Sequence, residues 1–399
     1  MCYYLNKFTS LMITMDFDVF IIGGGLVGAS LAAALKSSGL SIGLLESQPV
    51  SGNHKGWDSR IYAISPGNAT FLADCGAWQH LDMSRVQPVC AMRVFGDEGA
   101  ELDFSAYQIG APELNFIVEN RLLQQALWQQ LQLQDNLTLF HPAHCASLAW
   151  HDDSAQLVLA DGREIRAKLI VGADGRDSWV RQQAGITASP KPYQQHGVVA
   201  NFIAEKPHRG TAFQWFQPDG ILALLPLPQQ MVSMVWSVSP EKSAALLALP
   251  DEELSAQVAA ASQHMLGGLK LVTPPAAFPL RLLNLPHIIA ARLALVGDAA
   301  HNVHPLAGQG VNLGFRDARE LARVLLDRGA QSDCGDAHLL RRYERARRED
   351  IVSMQLTTDA LKHLFNNNNP LLRNLRNIGL SLGNQLAPLK KMLARHALN

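Results

Sequence analysis

The residues best suited to chemistry lie in one segment, GDAAHNVHPLAGQGVNLG, at positions 297–314. A strand-like run at 293–296 precedes it, and a helix-like run at 315–327 follows it. Asp298 is therefore predicted at the carboxyl end of a strand, where open α/β sheets bind ligands and a carboxylate can accept hydrogen bonds from ribose or ribityl hydroxyls. Glycines let the loop approach a flat ring, and a helix starting at Gly310 favours negative charge nearby. The segment suits a flavin, which becomes anionic on reduction, better than it suits a plain connecting turn.

A second glycine-rich turn lies near the start of the chain. An apolar strand at 17–22 leads into Gly23, Gly25 and Gly28, and a small-residue helix and another strand follow. Glu46 ends that second strand, 18 residues beyond the last glycine. This order is typical of dinucleotide binding, because the glycines bring a pyrophosphate to a helix N-terminus and the acid binds the adenosine ribose.

A third acid follows a strand in the middle of the chain. Alternating runs at 147–150, 156–159 and 164–169 predict a small meander. A separate apolar strand is predicted at 169–171, and it ends in GADGRDSWVR, which contains Asp174. Three acids are thus predicted at the carboxyl ends of strands, where they can share one ligand.

The composition describes a folded enzyme-sized protein. With 399 residues, 48% of them hydrophobic and 17% charged, the chain is expected to hold two domains or one interleaved pair. A net charge of −1 shows no excess of positive charge of the kind that binds nucleic acid. The five scattered cysteines have no metal-site spacing and indicate reduced thiols in a cytoplasmic protein. No apolar run reaches the about 18 residues of a membrane-spanning helix.

The predicted fold class is α/β: a Rossmann-like FAD-binding domain, an inserted mixed β-sheet substrate domain and a C-terminal helical segment. The insertion follows from strand-like runs rich in Val, Phe and Trp that lie between the dinucleotide motifs. The predicted bounds are 15–75, 112–188 and 287–340 for the FAD-binding domain, 76–111 and 189–286 for the substrate domain, 341–399 for the helical segment and 1–14 for an N-terminal extension.

The order of these motifs resembles the single-component FAD-dependent aromatic hydroxylases of the para-hydroxybenzoate hydroxylase fold. The stretches RIYAIS at 60–65, IVEN at 117–120 and HPLAGQGVNLG at 304–314 narrow the likeness to the ubiquinone-biosynthesis hydroxylases. The resemblance covers nearly the whole chain from Asp16 onward. It is highly specific for the family and weakly specific for the member.

The resemblance implies a role for each matching position, with no metal and no dominant acid–base side chain. His301 and His304 are not expected to be essential for proton transfer. Two positions keep an alternative from the residues alone: Arg60 could instead pair with Asp58, and Asn120 could cap its helix. The implied contacts are Gly23, Gly25 and Gly28 with pyrophosphate, Glu46 with the adenosine ribose, Arg60 and Asn120 with the cofactor, Asp174 with FAD and nicotinamide use, Asp298 with the ribityl and pyrophosphate region, and Pro305, Gly308, Gln309, Gly310, Val311 and Asn312 with the isoalloxazine.

The implied activity is hydroxylation of the ring of a polyprenylated phenol or benzoquinol, with FAD, O2 and NAD(P)H as a transient co-substrate. Two alternatives stay open: a hydroxylase of a soluble phenol, and a non-catalytic FAD-bound scaffold. Residues 341–399 hold eleven Lys or Arg against four Asp or Glu. This basic segment predicts contact with other ubiquinone-biosynthesis proteins or peripherally with an anionic membrane. Docking of its Pro370 helix onto the protein itself is the alternative.

Overall fold

The structure is a computed structural model that describes residues 14–49, 56–96, 100–188, 191–302, 310–329 and 332–365. For 191–192 and 356–365 only the backbone is described. The helices in these ranges are α1 (Leu26–Ala34), α2 (Pro66–Asp74), α3 (Ala106–Ile109), α4 (Asn120–Leu131), α5 (Trp179–Gln183), α6 (Pro240–Leu247), α7 (Asp251–Ala261), α8 (Gly310–Leu326) and α9 (Ala337–Phe365).

The first sheet carries the three predicted motifs. Its main path is β18-β19-β11-β1-β2-β8, and β9 and β10 extend it beside β11. β1 pairs in parallel with both β2 and β11, and β11 pairs in parallel with β19. The carboxyl ends of these strands therefore meet at one edge. The strands are β1 (Thr14–Ile22), β2 (Ile42–Leu45), β8 (Leu137–Phe140), β9 (Cys145–Trp150), β10 (Ala155–Leu159), β11 (Glu164–Gly172), β18 (Ile289–Ala290) and β19 (Leu293–Leu295).

One expectation about this sheet is wrong. The predicted meander strand at 164–169 and the separate strand at 169–171 form a single strand, β11. Its first half alternates between buried and exposed side chains, whereas its second half is buried throughout. Different strands pair with the two halves on one edge, β10 with the first half and β19 with Ile170–Gly172, while β1 follows β11 along most of its length, from Thr14 opposite Glu164 onward. Thr14, assigned to the extension from the sequence, is thus already a strand residue.

A second sheet of eight strands and a third of three strands complete the described β structure. The second has the path β16-β12-β15-β14-β13-β5-β6 with β17 beside β12, and the third has the order β3-β7-β4. Their strands are β3 (Ile61–Ile64), β4 (Gln87–Val89), β5 (Ala91–Phe95), β6 (Glu101–Ser105), β7 (Asn115–Glu119), β12 (Lys191–Ala204), β13 (Thr211–Gln217), β14 (Gly220–Leu227), β15 (Met231–Val238), β16 (Leu269–Leu271) and β17 (Ala276–Leu282).

The two faces of the second sheet have different partners. One face packs on α6 and α7, where Leu246 and Leu254 join Trp236 in a buried cluster. The opposite face, which we call the cleft face, packs in part on the third sheet, where Ala212 joins Ala63. Since side chains alternate along a strand, each strand contributes every second residue to the cleft face. The α/β fold class predicted from the sequence is confirmed.

Helices α1 and α8 bring the first and last motifs into contact. Val27 of α1 lies against Gly297 and Gly314, and a Cβ added at Gly314 would lie 2.6 Å from Val27 Cγ2. Any larger residue at 314 would separate the two helices. Gly297 and Gly314 therefore allow α8 and the turn before it to lie close to Val27 of α1.

Candidate functional site

The turn at residues 23–28, which we call the glycine turn, requires glycine at two positions because backbone lies against it. Gly23 has a φ of +110°, and a Cβ there would lie 2.3 Å from the carbonyl oxygen of Ala173. A Cβ on Gly28 would lie 1.9 Å from the carbonyl oxygen of Gly23. The turn is thus packed on itself and on the chain just before Asp174.

Gly25 differs from Gly23 and Gly28, because no described backbone lies against it. Among the residues that the structure describes, no heavy atom lies within 4 Å of a Cβ built on it. Gly25 is also the N-cap residue of α1, and neither a capping side chain nor an acidic residue in the first turn occupies that helix end. Free N–H groups and the positive end of the helix dipole therefore face an open space, which suits the pyrophosphate of a dinucleotide.

Glu46 lies beside this turn at the end of β2. Its Oε2 accepts a hydrogen bond from the Gly24 N–H at 2.8 Å, and its Oε1 accepts one from the Gln48 N–H at 2.9 Å. Trp128 fixes the turn from the other side by donating from Nε1 to the Gly24 carbonyl at 2.9 Å. Oε1 also accepts from Ser47 Oγ at 3.3 Å, whereas Oε2 keeps a second lone pair. Glu46 is therefore held in place and can still accept a hydrogen bond from a ribose hydroxyl.

Asp174 follows β11 and organises the second motif. Its Oδ1 accepts from Ser178 Oγ at 2.6 Å, and its Oδ2 accepts from the Val180 N–H at 3.0 Å. The buried Arg181 then donates from Nη1 to the Ala299 carbonyl at 2.9 Å. This arginine ties the Asp174 motif directly to the segment that contains Asp298.

The turn at residues 297–302, which we call the Asp298 turn, follows β19. The Asp298 side chain is accessible to solvent, yet protein surrounds it so closely that burial raises the pKa of its carboxyl. The positive charges of His301, Arg60 and Arg176 oppose that rise. A carboxylate that solvent reaches and protein atoms surround is suited to binding a polyol, and we call the space in front of it the cleft.

Arg60 faces this cleft and does not make the ion pair that was its alternative. The carboxylate of Asp58 pairs instead with the Arg121 side chain at 3.4 Å and also accepts from the Arg121 N–H at 3.1 Å. From Arg60 it accepts the backbone N–H, at 3.0 Å. The guanidinium of Arg60 lies 5.6 Å from the centre of the Tyr62 ring. Its charge acts on both Tyr62 and Asp298.

Asn120 does not cap α4. The N-cap residue is Glu119, and no side chain makes a capping hydrogen bond there. The Asn120 N–H donates to the Arg60 carbonyl at 2.9 Å, so the backbone of this residue supports Arg60. The helix-cap alternative is therefore wrong, and a side-chain contact with the cofactor stays a prediction.

Tyr62 is a residue of this cleft that the sequence reasoning missed. Burial raises the pKa of its phenol, Arg60 opposes the rise, and Asp298 adds to it. The available signal was the strand alternation in RIYAIS, since residues two apart on a strand share a face. Arg60 and Tyr62 therefore present a cation and a hydroxyl to the same space.

The start of α8 has two environments. A Cβ on Gly310 would meet no atom of the described residues within 4 Å. Asn312 is instead buried, and its amide donates to the Ala63 carbonyl at 2.7 Å and accepts from the Ser65 N–H at 2.9 Å. Its side chain thus anchors α8 to β3 rather than facing the cleft. Val311 is partly exposed, and Pro305, Gly308, Gln309 and His304 lie outside the described residues.

The converging strand ends, the uncapped helix and the enclosed carboxylate define a dinucleotide-binding flavoprotein site. The model of the FAD binding domain family matches residues 16–358. Solved structures share the fold: the p-nitrophenol 4-monooxygenase PnpA of Pseudomonas putida superposes with a TM-score of 0.79 at 18% identity, over 97% of this chain and 99% of that one. PqsL of Pseudomonas aeruginosa superposes with a TM-score of 0.76 at 24% identity, over 92% and 99%.

Relatives with more similar sequences narrow the class. The 3-demethoxyubiquinol 3-hydroxylase of Escherichia coli is 37% identical over 394 residues, covering 96% of this chain and 98% of the relative. The ubiquinone hydroxylase UbiL of Rhodospirillum rubrum is 38% identical over 384 residues, covering 96% and 89%. The human ubiquinone biosynthesis monooxygenase COQ6 is 33% identical over 432 residues, covering 96% and 92%. This chain belongs to that family of FAD-dependent ubiquinone-biosynthesis hydroxylases.

Proposed function

We propose that this enzyme hydroxylates the aromatic ring of a polyprenylated phenol or benzoquinol, with NAD(P)H as a transient reductant and O2 as the oxygen source. Bound FAD supplies the oxygen-activating chemistry once it is reduced. The observation that carries the proposal is the enclosed yet accessible Asp298, which lies at the end of β19 near Arg60 and Tyr62. Within such a cleft the protein orients the ring and excludes water.

The residues that would hold FAD are divided between two turns. The free N–H groups at Gly25 would bind the pyrophosphate, and Glu46 would bind the adenosine ribose. Asp298 would bind the ribityl chain, and the N-terminal end of α8 near Gly310 would stabilise negative charge on the flavin. This assignment supports a discontinuous FAD-binding domain with the bounds predicted from the sequence.

A row of apolar side chains on the cleft face of the second sheet supports an aromatic, lipid-like substrate. Ala223, Val235 and Val199 lie side by side on neighbouring strands, and all three are partly exposed. Gln214 is paired with Ala223 at one end of this row and adds a polar amide side chain to the apolar row. At the other end of the row, Asn201 lies two residues beyond Val199 on the same face of β12 and donates from Nδ2 to the Asp58 carbonyl at 2.8 Å. We therefore assign the substrate ring to the space between this row and Arg60.

The activity test is NAD(P)H oxidation by the purified protein together with incorporation of labelled O2 into product. A prenylated phenol that stimulates both, while small soluble phenols do not, supports the proposal. Activity on soluble phenols without lipid favours the soluble-phenol alternative, and flavin binding with no substrate-stimulated oxidation favours the scaffold. Lipid analysis of a deletion strain would then name the ring carbon, because the accumulated precursor lacks only that hydroxylation.

A cavity-filling variant tests the substrate space itself. Val235→Phe should reduce product formation while leaving the flavin spectrum unchanged, because the larger ring occupies the space under the row. Val272→Phe, on the exposed edge of the same sheet, is the matched control. Equal activity of the two variants would argue against this location.

We also propose that the enzyme is cytoplasmic and contacts an anionic membrane, or a partner protein of its pathway, through its basic C-terminal segment. None of the described helices is long and apolar enough to cross a bilayer. Arg341, Arg345 and Arg348 lie on one exposed face of α9, and none pairs with a described carboxylate. Each such arginine would add about 1 kcal/mol of attraction to an anionic surface.

Flotation with vesicles of anionic and of neutral lipid tests this contact. The full-length protein should float only with anionic vesicles, and a triple Arg→Gln variant at 341, 345 and 348 should float less. A chain that ends at residue 368 separates the contribution of α9 from that of the following segment. Equal flotation of all three proteins would contradict the membrane role.

A further inference from the structure

A buried ionic cluster lies directly behind the Asp298 turn. Its centre is Asp317 of α8, which is fully buried. The Oδ2 atom of Asp317 accepts hydrogen bonds from the Gly297 N–H at 2.9 Å and from His301 Nε2 at 2.6 Å. Gly297 immediately precedes Asp298, and His301 follows it by three positions. One carboxylate oxygen therefore holds both sides of the turn.

Helix α9 supplies the counter-charge. Arg347, which is 5% exposed, donates from Nε to Asp317 Oδ1 at 2.7 Å. Its Nη1 pairs with Asp350 at 2.6 Å, and Asp350 pairs in turn with Arg316 of α8 at 2.8 Å. The negative charges of Asp317 and Asp350 balance the positive charges of Arg316 and Arg347, and the Asp317 carboxylate accepts hydrogen bonds from three donors. Such a satisfied cluster is rigid, and removing one member leaves a buried charge unpaired.

The ionised state of Asp317 is consistent with this geometry. Burial alone would raise the pKa of its carboxyl, but the charges and hydrogen bonds of His301 and Arg347 lower it below the ordinary value. The acceptor that holds the turn is therefore present throughout the neutral pH range. His301 makes this bond with Nε2, which gives the histidine a structural role in the turn that needs no proton transfer to substrate.

We propose that Asp317 and Arg347 are positioning residues for FAD: without touching the cofactor, they fix the Asp298 turn so that its carboxylate meets the ligand. The inference rests on the proposed assignment of Asp298 to FAD. In physical terms, α9 supports the flavin end of the site through Arg347 and Asp317, because preorganised ligand groups need a second layer of hydrogen bonds to hold their orientation.

The test is FAD affinity of the full-length apoprotein, measured by quenching of flavin fluorescence, together with the flavin absorption spectrum. Asp317→Asn should raise the Kd of FAD by about ten-fold or more, since it removes charge-assisted bonds on both sides of the turn. His301→Gln, which keeps a donor near the position of Nε2, should bind FAD better than His301→Ala. The histidine pair also keeps the test decisive if Asp317→Asn fails to fold.

The matched control is Tyr343→Phe. Tyr343 lies on the same face of α9, is fully buried, and donates from its hydroxyl to the Leu295 carbonyl at 2.9 Å. The change should lower stability but leave the Kd of FAD and the spectrum unaltered. The proposal is overturned if Tyr343→Phe and Asp317→Asn shift the Kd equally, or if His301→Ala binds FAD like wild type.

Asp298→Asn separates this inference from the proposed function. If that variant keeps wild-type FAD affinity, the assignment of Asp298 to FAD fails and the positioning role fails with it. If Asp298→Asn weakens binding while Asp317→Asn and His301→Ala do not, the assignment stands and only the positioning role is rejected.

Discussion

The glycine turn and the Asp298 turn lie at the ends of parallel strands in one sheet, yet different kinds of contact hold them in place. The glycine turn is shaped by its own backbone, because Gly28 leaves no room for a Cβ beside the Gly23 carbonyl. The Asp298 turn is held by side chains from α8 and α9, through Asp317 and Arg347. One end of the proposed FAD site is therefore encoded locally, and the other depends on contacts between distant parts of the chain.

Because of this difference, the two turns are sensitive to substitutions in different parts of the chain. A turn packed on its own backbone tolerates no enlargement at its contact points, but it needs no distant partner. A turn held by buried charges is as rigid only while every charge is paired. Substitutions far along the chain in α9 should therefore disturb the Asp298 turn and leave the glycine turn intact.

The largest expected effect is a loss of unfolding free energy at the Asp298 turn, which side chains hold in place. Arg347→Met leaves Asp317 and Asp350 buried without their shared cation, which should lower the free energy of unfolding by about 3–5 kcal/mol. Urea denaturation of the apoprotein measures this loss. Arg323→Met is the control, since Arg323 pairs with Glu320 on the exposed side of α8 and its loss should cost less than about 1 kcal/mol. Similar losses in both variants would remove the distinction between the buried cluster and an ordinary surface pair.

The next largest expected effect is a loss of stability at the glycine turn, which its own backbone shapes. Gly28→Ala puts a Cβ 1.9 Å from the Gly23 carbonyl oxygen, and neither backbone segment can yield without moving α1. The expected loss of unfolding free energy is about 1–3 kcal/mol or more, by overpacking, together with loss of FAD. Thermal unfolding and flavin content at purification check both. A stable variant that retains flavin would show that the close approach is not required.

Gly25→Ala should act on the ligand alone. Its φ of −67° and ψ of −174° suit alanine, and the added Cβ meets no atom of the described part of the chain within 4 Å. The apoprotein should keep its stability or gain up to about 1 kcal/mol, because alanine restricts the unfolded chain. FAD affinity should fall, since the methyl group enters the space assigned to the pyrophosphate. Unchanged affinity would mean that the cofactor does not pass in front of α1.

The same division decides what the sequence could predict. The glycine turn follows from local spacing, and its strand, glycines, helix and acid occur in the predicted order. The reading of β11 as two strands failed because its outer half is covered on one side and its inner half on both. Periodicity changes at that point although hydrogen bonding continues, so pattern alone suggests a break.

The Asp298 turn shows where sequence reasoning ends. A motif identifies Asp298 and Asn312 as constrained residues but not the direction of their side chains. Asn312 proves to anchor α8 to β3, which only the packing of those elements reveals. The pairing of Asp317 with Arg347 joins two helices 30 positions apart, and nothing in either local pattern specifies it. Tyr62 was within reach, because strand alternation places it beside Arg60.

The smallest expected effect is a change in how stability depends on pH at the Asp298 turn. Burial raises the pKa of Asp298 in the folded apoprotein above its ordinary value of 3.8. As pH rises through that ordinary value, the unfolded chain loses its proton first, so the destabilisation from this residue grows until the folded pKa is also passed and stays at that level at higher pH. Asp298→Asn should therefore make the apoprotein slightly more stable at neutral pH, with the difference vanishing in acid below that value. Urea midpoints measured across this range provide the check, and a variant less stable than wild type at neutral pH would contradict it. The same substitution should weaken FAD binding, because it removes the negative charge that would accept hydrogen bonds from the ribityl hydroxyls.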